Sequence, residues 1–302
     1  MIRLIWPGPG HCFLPATGMA VLAMAISSVA APANARAAGM SVEEFTVRSG
    51  DSSLSVRLVS PAAHTLAAQP LLLLYFSTDR AASLPEGRYG AAGRIFLEQG
   101  HRVASFDLPA HGERLDGQGG GIAGLAQRVA AGQDPFSEFV HNGRAVIDEC
   151  IRRGLAPAGR IVVAGVSRGG YFALRLAAAD RRIAAAAAFA PVTDWRVVTE
   201  FDALKESPVL AALALENFAE QLAGRRIYLA IGNHDLRTGS DACTRLVLAL
   251  MEAERRRGAA HSGVRFHLVD DSRGHALAAK WREEGVMFLL ENQTVTRAPP
   301  MP

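Results

Sequence analysis

From Leu71 onward the chain alternates short, unbroken apolar runs with longer segments of helical periodicity. No other feature limits its fold as strongly. Leu71-Leu-Leu-Leu-Tyr-Phe76, Arg102-Val-Ala-Ser-Phe-Asp107, Arg160-Ile-Val-Val-Ala-Gly165, Ile183 to Ala190, Arg226 to Ile231 and Val264 to Val269 each have the length of a strand. Runs that do not alternate polar with apolar read as strands covered on both faces. The alanine-rich run Ile183 to Ala190 joins them because it sits between a helix and Pro191. Between the runs, Gly90 to Gly100, Phe136 to Gly154, Arg168 to Asp180, Asp241 to Arg257 and about Ala276 to Glu291 read as helices. Ahead of them, Phe45-Thr-Val-Arg and Leu54-Ser-Val-Arg-Leu-Val59 alternate with period two around Gly50-Asp51, an antiparallel pair. The whole predicts the α/β class: a mostly parallel, doubly wound sheet with helices on both faces. In such sheets the chemistry lies just past the carboxyl ends of the strands.

Two segments depart from the alternation. Leu115 to Pro135 is rich in glycine and reads as an irregular excursion. Asp194 to Gly224 has helical periodicity in Phe201, Leu204, Leu210, Leu213, Leu215, Phe218 and Leu222, and is expected to be a small helical cap over the site, inserted at about residues 192–224. Gly119-Gly-Gly-Ile-Ala-Gly124 matches G-x-G-x-x-G literally, but no strand leads directly into it, so a flexible loop is expected rather than a dinucleotide site.

The first residues read as an export signal. Arg3 supplies a thin positive start, Gly18 to Ala31 a short apolar core, and Ala33-Asn-Ala35 or Ala35-Arg-Ala37 a cleavage pattern of small residues. The apolar core is shorter than the roughly 20 residues that span a bilayer. The expected organisation is a signal peptide over residues 1–37, one domain over residues 41–292 and a frayed, proline-rich tail over residues 293–302. The mature protein is expected to be periplasmic or secreted, with no stable membrane span after signal removal. A net charge of +3 with dispersed arginines gives no footprint for nucleic acid. Beyond the signal, Cys150 and Cys243 either pair or stay as buried thiols, and no Cys/His spacing suits zinc.

Gly165-Val-Ser-Arg-Gly-Gly170 follows one predicted strand and opens the next helix. A serine on so tight a turn is held in the open, and its neighbours must lack side chains for the turn to close. At the helix N-terminus the backbone N–H groups can stabilise an oxyanion. Ser167 therefore reads as a nucleophile. It needs a base, and the base needs an orienting carboxylate. Asp235, in Ile231-Gly-Asn-His-Asp235, and His275, in Ser272-Arg-Gly-His275, each come just after a later strand. Asp241 competes with Asp235, and His234 and His267 compete with His275. The oxyanion hole is expected to combine the N–H of Arg168 with that of Ser77 in the loop after Phe76.

Together with Phe106-Asp-Leu-Pro-Ala-His-Gly-Glu113, Ala190-Pro-Val-Thr-Asp-Trp195 and Asp271-Ser-Arg-Gly-His275, the Gly165 motif resembles the α/β-hydrolase superfamily. The nearest branch holds dienelactone-hydrolase-like esterases and prolyl-oligopeptidase-like (S9-type) catalytic domains. The resemblance spans about residues 45–292. It implies the α/β-hydrolase fold and an acyl-transfer triad in the order serine, acid, histidine. The acyl-transfer mechanism needs no metal or organic cofactor, and a small-molecule ester is the expected substrate, with peptidase activity only weakly implied by the resemblance. Relatives often carry His-Gly or Gly-Pro in the oxyanion loop, where this chain has Tyr75-Phe-Ser-Thr-Asp79. Two other readings stay open: a small aminopeptidase-like enzyme, and a non-catalytic binding module on the same scaffold.

Overall fold

The structure, a computed structural model, describes residues 39–291; the predicted signal peptide and the C-terminal tail lie outside the described residues. Strands β1 (Ser41–Ser49), β2 (Ser52–Ser60), β3 (Leu72–Phe76), β4 (Arg102–Phe106), β5 (Ile161–Val166), β6 (Ile183–Phe189), β7 (Arg226–Gly232) and β8 (Val264–Val269) form one sheet in the order β1-β2-β4-β3-β5-β6-β7-β8. β1 pairs antiparallel with β2, and β2 with β4, while every other pair is parallel. The helices are α1 (Arg80–Ser83), α2 (Ala91–Glu98), α3 (Gly121–Ala130), α4 (Pro135–Arg152), α5 (Arg168–Ala179), α6 (Pro208–Ala212), α7 (Ala219–Leu222), α8 (Ser240–Arg256) and α9 (Ala279–Leu290).

The unbroken apolar run of β3 works because both faces are covered, whereas β8 at the sheet edge is only half-buried. Leu72, Leu74 and Phe76 of β3 point into one core layer with Phe139, Ile147 and Phe172 from α4 and α5. Leu73 and Tyr75 point into the opposite layer with Phe96 of α2 and Val286 and Leu289 of α9. With period two and no polar position in β3, every residue of that strand is buried. Truncating Leu74 to alanine would cost about 2–5 kcal/mol by the usual measure of a buried leucine. The alanines of β6 have weak strand propensity, and packing overrides it. α9 approaches the sheet closely because Gly285 has no side chain: a Cβ there would stand 2.5 Å from the Phe189 ring. α4 begins cleanly because Asp134 accepts from the N–H groups of Phe136 and Ser137 with Pro135 next in line.

Two expectations need correction. The glycine-rich excursion contains a regular helix, α3, whose Ile122, Leu125, Ala126 and Val129 are buried at helical spacing. Its glycines hid an apolar stripe, and Gly119 to Gly124 lead into and form its first turn rather than a flexible loop. The segment after β6 does form small helices, with 3-10 turns at Trp195–Val197, Thr199–Leu204 and Leu215–Phe218 beside α6 and α7. They pack against α3, α5 and α8. Trp195 is fully buried, with its ring centroid 5.2 Å from that of Phe136 and 5.1 Å from those of Tyr171 and Phe201. The Tyr171 hydroxyl donates to the Leu213 carbonyl at 2.8 Å. Anchored this way, the segment is part of the core. Cys150 and Cys243 are both buried and free. Among the described residues no helix is long and apolar enough to cross a membrane.

Candidate active site

Ser167 stands between β5 and α5 with φ 56° and ψ −123°, a region that costs a non-glycine residue of order 1–3 kcal/mol. Its N–H donates to the Phe189 carbonyl at 2.9 Å, and its own carbonyl accepts from Gly170 at 3.0 Å and Val192 at 3.1 Å. These bonds hold the strained turn. The flanking glycines are steric requirements: a Cβ on Gly165 would lie 2.2 Å from the Gly169 carbonyl oxygen, and one on Gly169 would lie 2.1 Å from that of Phe76. The helix therefore starts directly against the end of β3.

Asp235 follows β7, and His275 follows β8. His275 Nδ1 donates to Asp235 Oδ2 at 2.8 Å, and His275 Nε2 lies 3.1 Å from Ser167 Oγ. With Nδ1 protonated toward the carboxylate, Nε2 presents its lone pair to the serine hydroxyl, which donates. Asp235 is almost wholly buried. Oδ1 accepts from the N–H groups of Arg237 at 3.0 Å and Thr238 at 3.1 Å, and Oδ2 from Thr238 Oγ1 at 2.9 Å. Burial alone would raise its pKa, but the bonds from His275 and Thr238 outweigh it and hold the carboxyl below its usual range. The competing residues are elsewhere. Asp241 pairs with Arg245 at 2.8 Å on α8, His267 pairs with Glu284 at 2.8 Å, and His234 is exposed. Thr238 was not evident from the sequence. A threonine three residues after the acid is an ordinary turn residue until the loop closes on the carboxylate.

The oxyanion side needs a correction. Ser77 lines the cleft, but its N–H donates to Ser83 Oγ at 3.0 Å and its hydroxyl lies 2.8 Å from the same atom. That amide is already engaged. Thr78, the next residue, also lines the cleft, and no described residue accepts from its N–H. Arg168 occupies the first position of α5, where an N–H has no intrahelical acceptor. The Arg168 side chain is fixed from behind by His111, whose Nε2 accepts from Nη1 at 2.9 Å. His111 Nδ1 donates to the Pro109 carbonyl at 2.8 Å, which sets the tautomer. Burial foremost, with the nearby Arg168 charge, lowers the His111 pKa and keeps the ring neutral, although the bond to Pro109 opposes them.

Ser167 and His275 face a cleft of about 320 Å³ whose apolar walls include Tyr89, Ile122, Phe189 and Leu277. No residue of the 192–224 segment lines it. The segment reaches the rim through Glu200, which pairs with Arg237, and Thr199, whose Oγ1 accepts from Arg237 Nη1 at 3.0 Å. Among the described residues no group of three or more His, Cys, Asp or Glu side chains is placed to hold a metal ion.

The sheet order and the Ser-His-Asp constellation at its strand ends define an α/β-hydrolase. The model of the prolyl oligopeptidase family matches residues 115–267, just over half of the chain, a span that contains Ser167 and Asp235. The chain belongs to the prolyl oligopeptidase family and is a hydrolase. Solved structures share its fold at low identity. An acetyl xylan esterase from Paenibacillus sp. R4 is 18% identical with a TM-score of 0.64, covering 84% of each chain. A cold-adapted esterase from an Arctic intertidal metagenomic library is 16% identical with a TM-score of 0.61, covering 83% of this chain and 94% of the esterase. Oligopeptidase B from Leishmania major is 15% identical with a TM-score of 0.60, but the match covers 85% of this chain and only 37% of the peptidase. Among curated proteins none matches the chain significantly.

Proposed function

We propose that the chain hydrolyses carboxylic esters through a Ser167 acyl-enzyme. The observation that carries this reading is the continuous hydrogen-bonded line from Ser167 Oγ through His275 to Asp235, assembled from three separate loops. His275 Nε2 takes the hydroxyl proton as Ser167 Oγ bonds to the ester carbon, and the carbonyl electron pair moves onto oxygen. The N–H groups of Arg168 and Thr78 receive that oxyanion. Collapse breaks the carbon–alkoxide bond, and the alkoxide leaves with the proton from His275. Water then repeats the sequence, His275 serving again as base, and the acid is released. Asp235 stays a carboxylate throughout, fixing the imidazole and stabilising its positive form.

Ester is preferred over peptide on two grounds. The lining of the cleft contains no acidic side chain to receive the free amino group of a peptide. The fold match also spans most of two esterases but little more than a third of an oligopeptidase. Short-chain p-nitrophenyl esters assayed beside aminoacyl p-nitroanilides test this. Ester turnover that is abolished in Ser167→Ala is expected, and anilide turnover far exceeding ester turnover would overturn the preference. A fluorophosphonate probe should label Ser167, and folded protein that resists it would point to a binding module instead. Export belongs to the same proposal: the mature N-terminus is expected just after Ala35 or Ala37, as read by N-terminal sequencing of the exported protein.

A further inference from the structure

Four arginines line the nucleophile cleft: Arg88, Arg168, Arg237 and Arg282. No aspartate or glutamate lines it with them. Of the four, Arg237 is neutralised, since it holds Glu200 in a two-pronged pair at 2.6 and 2.5 Å. The other three have no carboxylate partner among the described residues. Arg168 donates to His111, a neutral ring that orients the guanidinium without cancelling its charge. Arg282 reaches only the Leu277 carbonyl, at 3.4 Å, and its Nε is buried with no acceptor. Arg88 lies beside the Tyr89 ring, 5.5 Å from its centroid.

Arg168 and Arg282 are half-buried while Arg88 is exposed at the cleft. A guanidinium withdrawn from water without a counter-ion is costly, and a bound anion offsets that cost with charge-assisted bonds. Burial already holds the Arg168 pKa below its usual range, as a cation short of compensation would show. The arrangement repels an ammonium group as strongly as it attracts a carboxylate. Arginine also suits a carboxylate in shape, because its planar fork presents paired donors.

We infer that the cleft selects esters carrying a free carboxylate in the acyl or alcohol half, with Arg88, Arg168 and Arg282 as the residues that receive it. The kinetic side of this inference rests on the ester-hydrolase reading; the binding side does not. Two substrates of equal length separate the charge from everything else: mono-p-nitrophenyl glutarate and its methyl ester. The kcat/KM ratio of acid to methyl ester, taken within one protein, cancels losses of folded enzyme. Wild type is expected to favour the acid by about tenfold or more, since a charge-assisted contact is worth at least that. In the Arg88→Gln/Arg282→Gln double variant the ratio is expected to fall by at least about fivefold, and in the wild type it should shrink as NaCl rises from about 0.05 to 0.5 M. A wild-type ratio at or below one, or a ratio unmoved in the double variant, overturns the inference.

Calorimetric titration of Ser167→Ala with 4-phenylbutanoate and with 4-phenylbutanamide removes the dependence on turnover. Acid binding about tenfold tighter than the amide, lost in the same double variant, supports the anion site even if neither ester is cleaved. In that case only the ester-hydrolase reading falls. Equal affinity for acid and amide overturns the anion site whatever the enzyme cleaves.

Discussion

Two arginine-lined hollows among the described residues use the same residue in opposite ways. In the first, bounded by Arg181, Glu220, Arg225 and Arg257, two of the guanidinium groups close on protein. Arg225 donates to the Ile183 carbonyl at 2.7 Å, and Arg257 donates to the Ala223 carbonyl at 2.9 Å and pairs with Glu220. They cap carbonyl groups at the ends of helices and strands, a structural use of arginine. In the second, at Ser167, three of four guanidinium groups have no carboxylate partner among the described residues. Arginine content does not distinguish the hollows; what each guanidinium already touches does. A ligand site is legible where donors converge and their acceptors are missing.

The two hollows differ most at the nucleophile. Ser167→Ala should lower ester kcat/KM by about 10⁴-fold or more, as removal of a triad nucleophile does. Its thermal midpoint should hold near the wild-type value, because alanine meets the same positive φ as serine. Retention of more than about a hundredth of the activity would show that the second hollow is not where the chemistry happens.

Thr238→Val tests the support beneath the site. It leaves Asp235 Oδ2 without its hydroxyl donor, and kcat should fall about tenfold with KM little changed. Thr238→Ser should restore most of it, which a purely packing role would not produce. A KM rise with kcat intact would contradict the positioning role.

Arg225→Ala tests the closed hollow. Losing the charged donor to the Ile183 carbonyl should destabilise the fold by about 1–3 kcal/mol in urea unfolding. The preference for the acid over its methyl ester should stay as it was. A change in that preference would mean the two hollows communicate.

The smallest effect is at the rim. The bond from Arg237 holds Glu200 down at about 2, against burial that opposes it. Relative to an ordinary glutamate at about 4.3, the stability from this pair is fully present above that value and is lost as pH falls toward 2. Arg237 is thus neutralised at any pH used for assay. Glu200→Gln should release it as a fourth free arginine and raise the preference for the acid by about threefold, more at low salt. An unchanged ratio would place Arg237 outside the reach of the substrate.

Much of this was legible in residue order. The β3 and β5 runs announced doubly covered strands, and Gly165, Ser167 and Gly169 announced the strained turn. The helix α3 was missed because its glycines outweighed the Ile122, Leu125, Ala126 and Val129 stripe. The segment after β6 was read correctly as helical, but its anchoring through Trp195 could not be seen. Periodicity reports which residues want burial and not against what. Ser77 failed as an oxyanion donor for a similar reason: its competitor, Ser83, is six residues away in a turn whose shape the sequence leaves open.

What the sequence alone determined are the features set by neighbouring residues: the strands, most of the helices, the tight turn at Ser167 and the order of serine, acid and histidine. Sterics and spacing act over a few residues, so they can be read from the string. Tertiary structure decided the pairings: His275 with Asp235 rather than Asp241, Thr238 beneath the carboxylate, His111 behind Arg168, and Glu200 on Arg237 with no carboxylate for Arg88 or Arg282. Hydrogen bonds and charges act across space between loops tens of residues apart. Only the fold sets which donors meet an acceptor and which are left to meet a ligand.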